Sequence, residues 1–340
     1  MSFSGPDRLE AARVLREESP RAGFARIGFA RAQEPARFDR FRDWLAEGRH
    51  AGMRYLARTA AVRRRPEELL PGARSVICLA AVHDARPFVA ADGSRLARYA
   101  AGPDYHGTLR QGAMRLAQAA KERLGFPFRF RVCVDSTPVA ERAFAAAAGI
   151  GWIGKNGCVI DRELGSYLLL AEILTDLELP ADEPVAELCG DCTRCLDACP
   201  TSAFVEPGVL DASRCLAYWT IEHRGPVPDS IKPRIEGRVF GCDICQEVCP
   251  WNKPLTGIGN RMAPTRAQWL AMSRGEWKRE WGATALNRAG RRGMQRNAAV
   301  SAGATGDSSC AASLTAVAGT SDRGLADGAG WALEVLGSKS

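Results

Sequence analysis

The chain has 340 residues, of which 46% are hydrophobic and 25% charged, and its formal net charge is +7. This suffices for two or three packed domains of ordinary globular type. No stretch approaches the roughly eighteen apolar residues of a membrane span, and residues 1–7 lack the basic start and apolar run of a secretory leader, so a cytoplasmic protein with no membrane partner is expected.

The first 185 residues read as α/β. Helical spacing appears at Leu9, Ala12, Val14 and Leu15, and again at Phe38, Phe41, Trp44 and Leu45. Residues 75–82 are a short apolar run of buried-strand type, and residues 129–134 alternate as a second strand. That strand ends at Asp135-Ser136-Thr137-Pro138, a polar turn that delivers a carboxylate just past the strand, where catalytic groups commonly sit. An Ala-rich helix follows over residues 139–148, for which Asp135, Ser136 or Thr137 can serve as N-cap.

Gly149-Ile150-Gly151-Trp152-Ile153-Gly154-Lys155-Asn156-Gly157 comes next. Its glycines match neither G-x-G-x-x-G nor G-x4-G-K-[ST], which excludes a P-loop. What remains is a flexible backbone offering Lys155 and Asn156 to something bulky, or a tight turn before a strand. Gly165-Ser166-Tyr167 leads into an apolar run over residues 168–174 that reads as a strand, and residues 180–186 read as a linker.

Beyond the linker stand Cys189-x-x-Cys192-x-x-Cys195-x-x-x-Cys199-Pro200 and Cys242-x-x-Cys245-x-x-x-Cys249-Pro250, with Cys215 between them. C-x2-C-x2-C lets three thiolates of one loop reach three corners of a 4Fe-4S cube, while the cysteine before proline serves the other cluster. Cys189, Cys192, Cys195 and Cys249 would hold one [4Fe-4S] cluster, and Cys242, Cys245, Cys215 and Cys199 the second. Zinc needs only four ligands and has no use for this cadence. The other four cysteines, Cys78, Cys133, Cys158 and Cys310, show no partner pattern for a disulfide framework.

After Pro254 the chain turns helical and basic, with ten Lys or Arg against Glu276 and Glu280 over residues 253–300. Trp251, Trp269, Trp277 and Trp281 fall in or beside this window. A basic surface bearing aromatics suits phosphate neutralisation with base stacking; the alternative is a solvated helix face with tryptophans in the core. Helices over 297–302, 311–318 and 325–336 have the cadence of HEAT repeats, too few to stand alone, so they should pack on the preceding domain.

Two tandem clusters describe an electron wire, and the rest of the chain should contain what it feeds. No C-x-x-C-H haem site and no dinucleotide fingerprint occurs. Asp104-Tyr105-His106-Gly107-Thr108-Leu109 approaches the corrinoid-ligating D-x-H-x-x-G, but Leu109 replaces the glycine, so a histidine-ligated corrinoid is not supported.

Residues 95–100 and 102–106, Val134-Asp135-Ser136-Thr137-Pro138-Val139, the loop around Gly154-Lys155-Asn156, the two cysteine runs and Thr220-Ile221-Glu222-His223-Arg224-Gly225-Pro226 together resemble the epoxyqueuosine reductase family, in order from about Phe24 to Trp251. The resemblance implies a cobalamin-dependent enzyme that removes the epoxide oxygen of epoxyqueuosine at the tRNA wobble position. It implies a nitroreductase-like α/β cobalamin-binding domain over 1–185, a ferredoxin-like two-cluster domain over 186–256 and a short α-helical HEAT-like tail over 257–340. Asp135 matches the family's proton donor, with its pKa raised by burial. Arg58, Arg98, Asp135, Arg142, Lys155, Asn156 and Ser166 resemble positions that line the cobalamin, and Arg288, Arg291, Arg292 and Arg296 become candidates for binding the anticodon stem-loop of tRNA. A monomer served by an external low-potential donor such as flavodoxin or ferredoxin is expected.

Two other readings use the same clusters. A corrinoid reductive dehalogenase would carry a twin-arginine leader, which this sequence does not show, and has no reason for a basic helical segment. A non-catalytic electron-transfer protein would bind no corrin and be indifferent to Asp135.

Overall fold

The computed structural model describes residues 5–84, 86–253 and 261–338. Its main sheet comprises β1 (Arg26–Arg31), β2 (Ser75–Val82), β3 (Phe130–Cys133) and β4 (Leu168–Thr175), ordered β1, β2, β4, β3 with every pair antiparallel. The apolar runs at 75–82 and 168–174 thus form the centre of the sheet, where both faces are covered. Alternation divides β2 between two cores. Ile77 and Leu79 pack with Leu15, Phe29 and Leu116 under the helices Gly5–Glu18 and Tyr105–Leu124, whereas Val76, Cys78 and Ala80 meet Phe144 and Ala145 of the helix Glu141–Ala147. Each such large apolar side chain contributes about 1.5–3 kcal/mol through burial.

β1 carries no apolar run in sequence because Gly28 interrupts it, and packing explains the glycine. A Cβ at Gly28 would lie 2.0 Å from the carbonyl oxygen of Ala148, so only glycine lets the end of the helix Glu141–Ala147 lie against this strand. The loop at 149–157 is the expected turn: Trp152–Ile153 pairs with Val159–Ile160.

A second, three-stranded sheet joins the α/β unit to the cysteine module. Arg238–Phe240 adds in parallel to Arg95–Leu96, which pairs with Phe88–Val89. The helices Arg266–Ala271, Arg274–Glu280, Gly290–Thr305, Ala311–Ala318 and Arg323–Gly337 pack on this sheet, sharing one core with Phe88, Leu96, Val239 and Phe240. The helical tail therefore rests on the rest of the chain rather than standing alone. The helix read at 297–302 begins earlier, at Gly290. The expected boundary at 256/257 lies outside the described residues, as do residues 1–4 of the presumed start. No described helix is long and apolar enough to cross a membrane.

The tryptophan-bearing surface is corrected. Trp269, Trp277 and Trp281 are buried and pack together, so none of them is available to stack on a base. Two capping boxes, Thr265 with Gln268 and Ser273 with Glu276, start the helices that present them to the core.

Candidate active site

Asp135 follows the end of β3 with φ 45, a left-handed conformation that L-residues adopt at a cost. Three groups hold it there. Its backbone N–H donates to Glu141 Oε1 at 2.6 Å, Tyr105 donates its hydroxyl to Oδ2, and His106 Nε2 lies 3.5 Å from Oδ2. Tyr105 and His106 begin the helix Tyr105–Leu124, which Asp104 caps by accepting the His106 N–H. The reading of Asp104-Tyr105-His106 as a failed corrinoid motif overlooked these partners; the signal in sequence was a Tyr-His pair directly after an N-cap carboxylate.

The electrostatics reverse the expected cause of Asp135's acidity. Its side chain is 52% exposed, and the bond from His106, aided by Tyr105 and Arg288, holds its carboxyl below the usual carboxylate range. The raised groups are its neighbours. His106 is lifted to about 9, chiefly by its bond to Asp135 and then by Asp104, and Glu141 is lifted to about 7 by burial and by the Asp135 charge. A proton at this site therefore resides on the imidazole while the carboxylate is charged.

The residues expected around a cobalamin divide into two kinds. Lys155 Nζ donates to Gly190 O at 2.5 Å, Asn156 Nδ2 to Cys245 O at 3.4 Å, and Ser166 Oγ to Gln246 Oε1 at 3.0 Å. These three tie the α/β unit to the cysteine loops. Arg98 does the same through Glu247 at 2.8 Å while lying 5.1 Å over the Tyr167 ring. Arg142, one residue beyond Glu141, donates to Gly157 O at 2.7 Å and so links the Asp135 loop to the Gly-Lys-Asn turn. Arg58 is exposed at the end of the short helix Arg54–Arg58. At this seam the buried hydroxyl of Tyr167 has no hydrogen-bond partner, an orphan that a polar ligand would satisfy.

The cysteines of the two runs and Cys215 lie near one another in two groups. Burial and the neighbouring thiols of Cys189, Cys249 and Cys192 raise Cys195, and Cys215 lies beside Cys199, Cys242 and Cys245. None of them is in a disulfide. Cys189, Cys192, Cys195 and Cys249 line one cavity together with Lys155, Asn156 and Trp251. The Trp152 indole N–H donates to Cys189 Sγ at 3.5 Å and the Ala203 N–H to Cys199 Sγ at 3.3 Å, donors that favour thiolate. Among the described residues no three His, Cys, Asp or Glu groups converge on a single metal ion. Cys158 and Cys133 are pushed up to about 11 and about 12 by burial and behave as core thiols.

Of the tail arginines, Arg296 is corrected. It is 1% exposed, and its guanidinium donates to the carbonyls of Trp219, His223 and Gly225 and to Asn297 Oδ1, which leaves nothing for a phosphate. Arg291 is partly covered and bonded to Met272 O and Gln295 Oε1. Arg292 is exposed, with one bond to Gln295 Oε1 at 3.2 Å. Arg288 is held bidentate by Glu222 at 2.9 and 2.6 Å, lies 5.6 Å over the Tyr55 ring and contributes to the field at Asp135, so it connects the tail to the acid.

A strand-end carboxylate linked through one seam to a double run of cysteines is the arrangement of an iron-sulfur oxidoreductase. Residues 188–252 match the family of 4Fe-4S double cluster binding domains, and residues 63–136 match the family described as epoxyqueuosine reductase QueG, DUF1730. The chain is 40% identical to the epoxyqueuosine reductase of Xanthomonas campestris pv. campestris, over 96% of this chain and 97% of the relative. It is 42% identical to that of Gloeobacter violaceus, over 84% and 94% respectively. A crystal structure of an epoxyqueuosine reductase with an epoxyqueuosine-modified tRNA-Tyr stem loop superposes with a TM-score of 0.85 at 31% identity, covering 97% of this chain and 91% of that one. The epoxyqueuosine reductase of Bacillus subtilis, with its catalytic aspartate loop swung out of the active site, superposes with a TM-score of 0.83 at 30% identity, covering 96% and 91%. The chain belongs to the epoxyqueuosine reductase family and is an oxidoreductase. That membership sets aside the dehalogenase and the bare electron-transfer readings.

Proposed function

We propose that this chain reduces epoxyqueuosine to queuosine at the wobble position of tRNA, with Asp135 as proton donor, cobalamin at the seam and two [4Fe-4S] clusters supplying electrons. The observation that carries the reading is the placement of Asp135: a half-exposed carboxylate just past a strand end, on a left-handed backbone and met by two donors. The solved relative from Bacillus subtilis has its catalytic aspartate loop swung out of the active site, and this reading takes the Asp135 loop as the equivalent loop in this chain.

Converting an epoxide to an alkene takes up two electrons and two protons and releases water. Asp135 hands a proton to the oxygen as the ring opens, which leaves a hydroxyl rather than a bare alkoxide, and a second proton lets that hydroxyl depart as water. Tyr105 and Glu141 fix the carboxyl and its backbone for that transfer. Cobalamin, when bound, supplies the strongly reducing chemistry at the epoxide carbon. Arg58, Arg98, Arg142, Lys155, Asn156 and Ser166, with the orphaned Tyr167 hydroxyl, are the groups that would hold it. Cys189, Cys192, Cys195 and Cys249 hold one cluster, and Cys199, Cys215, Cys242 and Cys245 the other. Lys155, Asn156 and Ser166 then serve as staples between cofactor seam and clusters.

The units in this reading are a nitroreductase-like domain over 1–185, a ferredoxin-like domain over 186–256 and a HEAT-like tail over 257–340. Arg288, Arg291 and Arg292 face the anticodon stem-loop, in keeping with the stem loop bound by the crystallised relative. A cytoplasmic monomer draws electrons from an external donor of the flavodoxin or ferredoxin kind. Anaerobic protein loaded with cobalamin and given a low-potential reductant converts epoxyqueuosine in tRNA to queuosine, read by nucleoside mass spectrometry. Absence of conversion with intact clusters and bound corrin sinks the reading.

A further inference from the structure

Asp104, His106 and Asp135 form a line that the role given to Asp135 leaves unexplained. His106 Nδ1 lies 2.6 Å from Asp104 Oδ1, and its Nε2 lies 3.5 Å from Asp135 Oδ2. The Tyr105 ring stacks on the imidazole at 4.2 Å between centroids and 23° between planes, which fixes the ring's tilt. The backbone N–H of His106 also donates to Asp104 Oδ1 at 3.1 Å, so the orienting carboxylate is itself held by the helix start. Both ring nitrogens thus face carboxylate oxygens. A carboxylate only accepts, and a neutral imidazole donates from one nitrogen alone, so the ring that satisfies both neighbours is the imidazolium.

The geometry points to His106 as the proton store of Asp135: a positioning residue that recharges the carboxyl through Nε2–H and never touches the substrate. The inference rests on Asp135 being the acid. In each delivery the Nε2 proton passes to the Asp135 carboxylate at Oδ2 and from that carboxyl to the epoxide oxygen, which leaves Asp135 ionised again, and the neutral imidazole is reprotonated from solvent, to which its side chain is 37% exposed. Two such deliveries supply the two protons of the reaction, and the two electrons come from the reduced clusters, so His106 changes only its protonation.

The surrounding charges bear on this assignment. Asp135 is faced by Tyr105 and His106 from the helix Tyr105–Leu124, by Arg288 from the tail and by Glu141 from the helix Glu141–Ala147. Arg63 and the hydroxyls of Tyr55 and Tyr99 stand in the same field, and Arg142 acts on Glu141. Asp104 and Asp135 are the two carboxylates bonded to His106, and they raise it to about 9.

The test uses the cluster-loaded protein labelled with 15N-histidine and given no substrate. The resonances lost in His106→Gln identify His106, which titrates near pH 9 in the wild type and about one unit or more lower in Asp104→Asn, as loss of a carboxylate partner requires. A second arm follows conversion against pH. The wild-type rate falls above about pH 9, whereas His106→Ala is slower by about 10-fold to 100-fold, loses that limb and is partly rescued by added imidazole. A His106 that titrates near the ordinary value in the wild type, or a His106→Ala enzyme that keeps the wild-type rate and limb, overturns the proposal. An active Asp135→Asn enzyme overturns instead the reading of Asp135 as the acid.

Discussion

Glu141 Oε1 accepts the backbone N–H of Asp135 at 2.6 Å, so a carboxyl on the first turn of one helix decides where the strand-end aspartate stands. With φ at 45 the Asp135 backbone is in a costly region and persists only where its surroundings hold it. Glu141→Ala removes the acceptor and frees the loop, and turnover is expected to fall by about 10-fold to 100-fold, the range for a displaced catalytic group. Glu141→Gln keeps an acceptor oxygen and should retain most of the activity. Equal losses in the two variants, measured as conversion of epoxyqueuosine, would show that charge rather than the hydrogen bond matters.

Cys199 and Cys249 each lie at the end of one cysteine run and beside the thiols of the other set. Cys249→Ala should therefore damage the cluster held by Cys189, Cys192 and Cys195, and Cys199→Ala the one held by Cys215, Cys242 and Cys245. Each variant should keep about half of the wild-type iron. Electron paramagnetic resonance of the reduced proteins distinguishes the two remaining clusters. If each cysteine instead serves the cluster of its own run, the two spectra are interchanged.

The sequence made the two-cluster domain and the sheet centre legible because both are local patterns: fixed cysteine spacing, and apolar runs at 75–82 and 168–174 that became β2 and β4. It was silent on β1, where Gly28 breaks the pattern for the sake of a contact with Ala148, some 120 residues away in sequence. Asp135 was legible as a carboxylate past a strand, but its charge state was not. Burial was expected to protonate it, and the controlling groups, His106 and Arg288, arrive from distant segments. Basic residues around 288–296 looked alike in sequence, yet Arg296 belongs to the core because its helix turns that side toward the carbonyls of residues 219–225.

Arg292 and Arg296 should accordingly behave as opposites. Arg296→Ala leaves the partly buried carbonyls of Trp219, His223 and Gly225 without this donor and empties a buried site, and a stability loss of about 2–4 kcal/mol is expected in denaturant unfolding. Arg292→Glu, on an exposed side chain, should leave stability within about 0.5 kcal/mol. Its effect belongs to tRNA binding, with lower affinity and a shallower dependence of log K on log salt. An unchanged salt slope would assign Arg292 to a plain solvated face.

Glu172 is wholly buried in β4 between Cys78 of β2 and Cys133 of β3, and neither of its carboxyl oxygens has a hydrogen-bond partner. Burial first, and the nearby Glu141 second, raise its pKa well above that of an ordinary glutamate. The folded state therefore favours the protonated form. Its contribution to stability is full below the unfolded pKa near 4.5 and is lost as pH rises toward the folded value, by up to about 1.4 kcal/mol per pH unit. Glu141, raised to about 7, acts in the same direction between about 4.5 and 7. Glu172→Gln removes one of the two titrations, so the variant should gain on the wild type steadily as pH rises from 5 to 8 in equilibrium or kinetic unfolding of the cluster-loaded protein. Parallel pH profiles would mean that Glu172 ionises as readily in the folded chain as in the unfolded one.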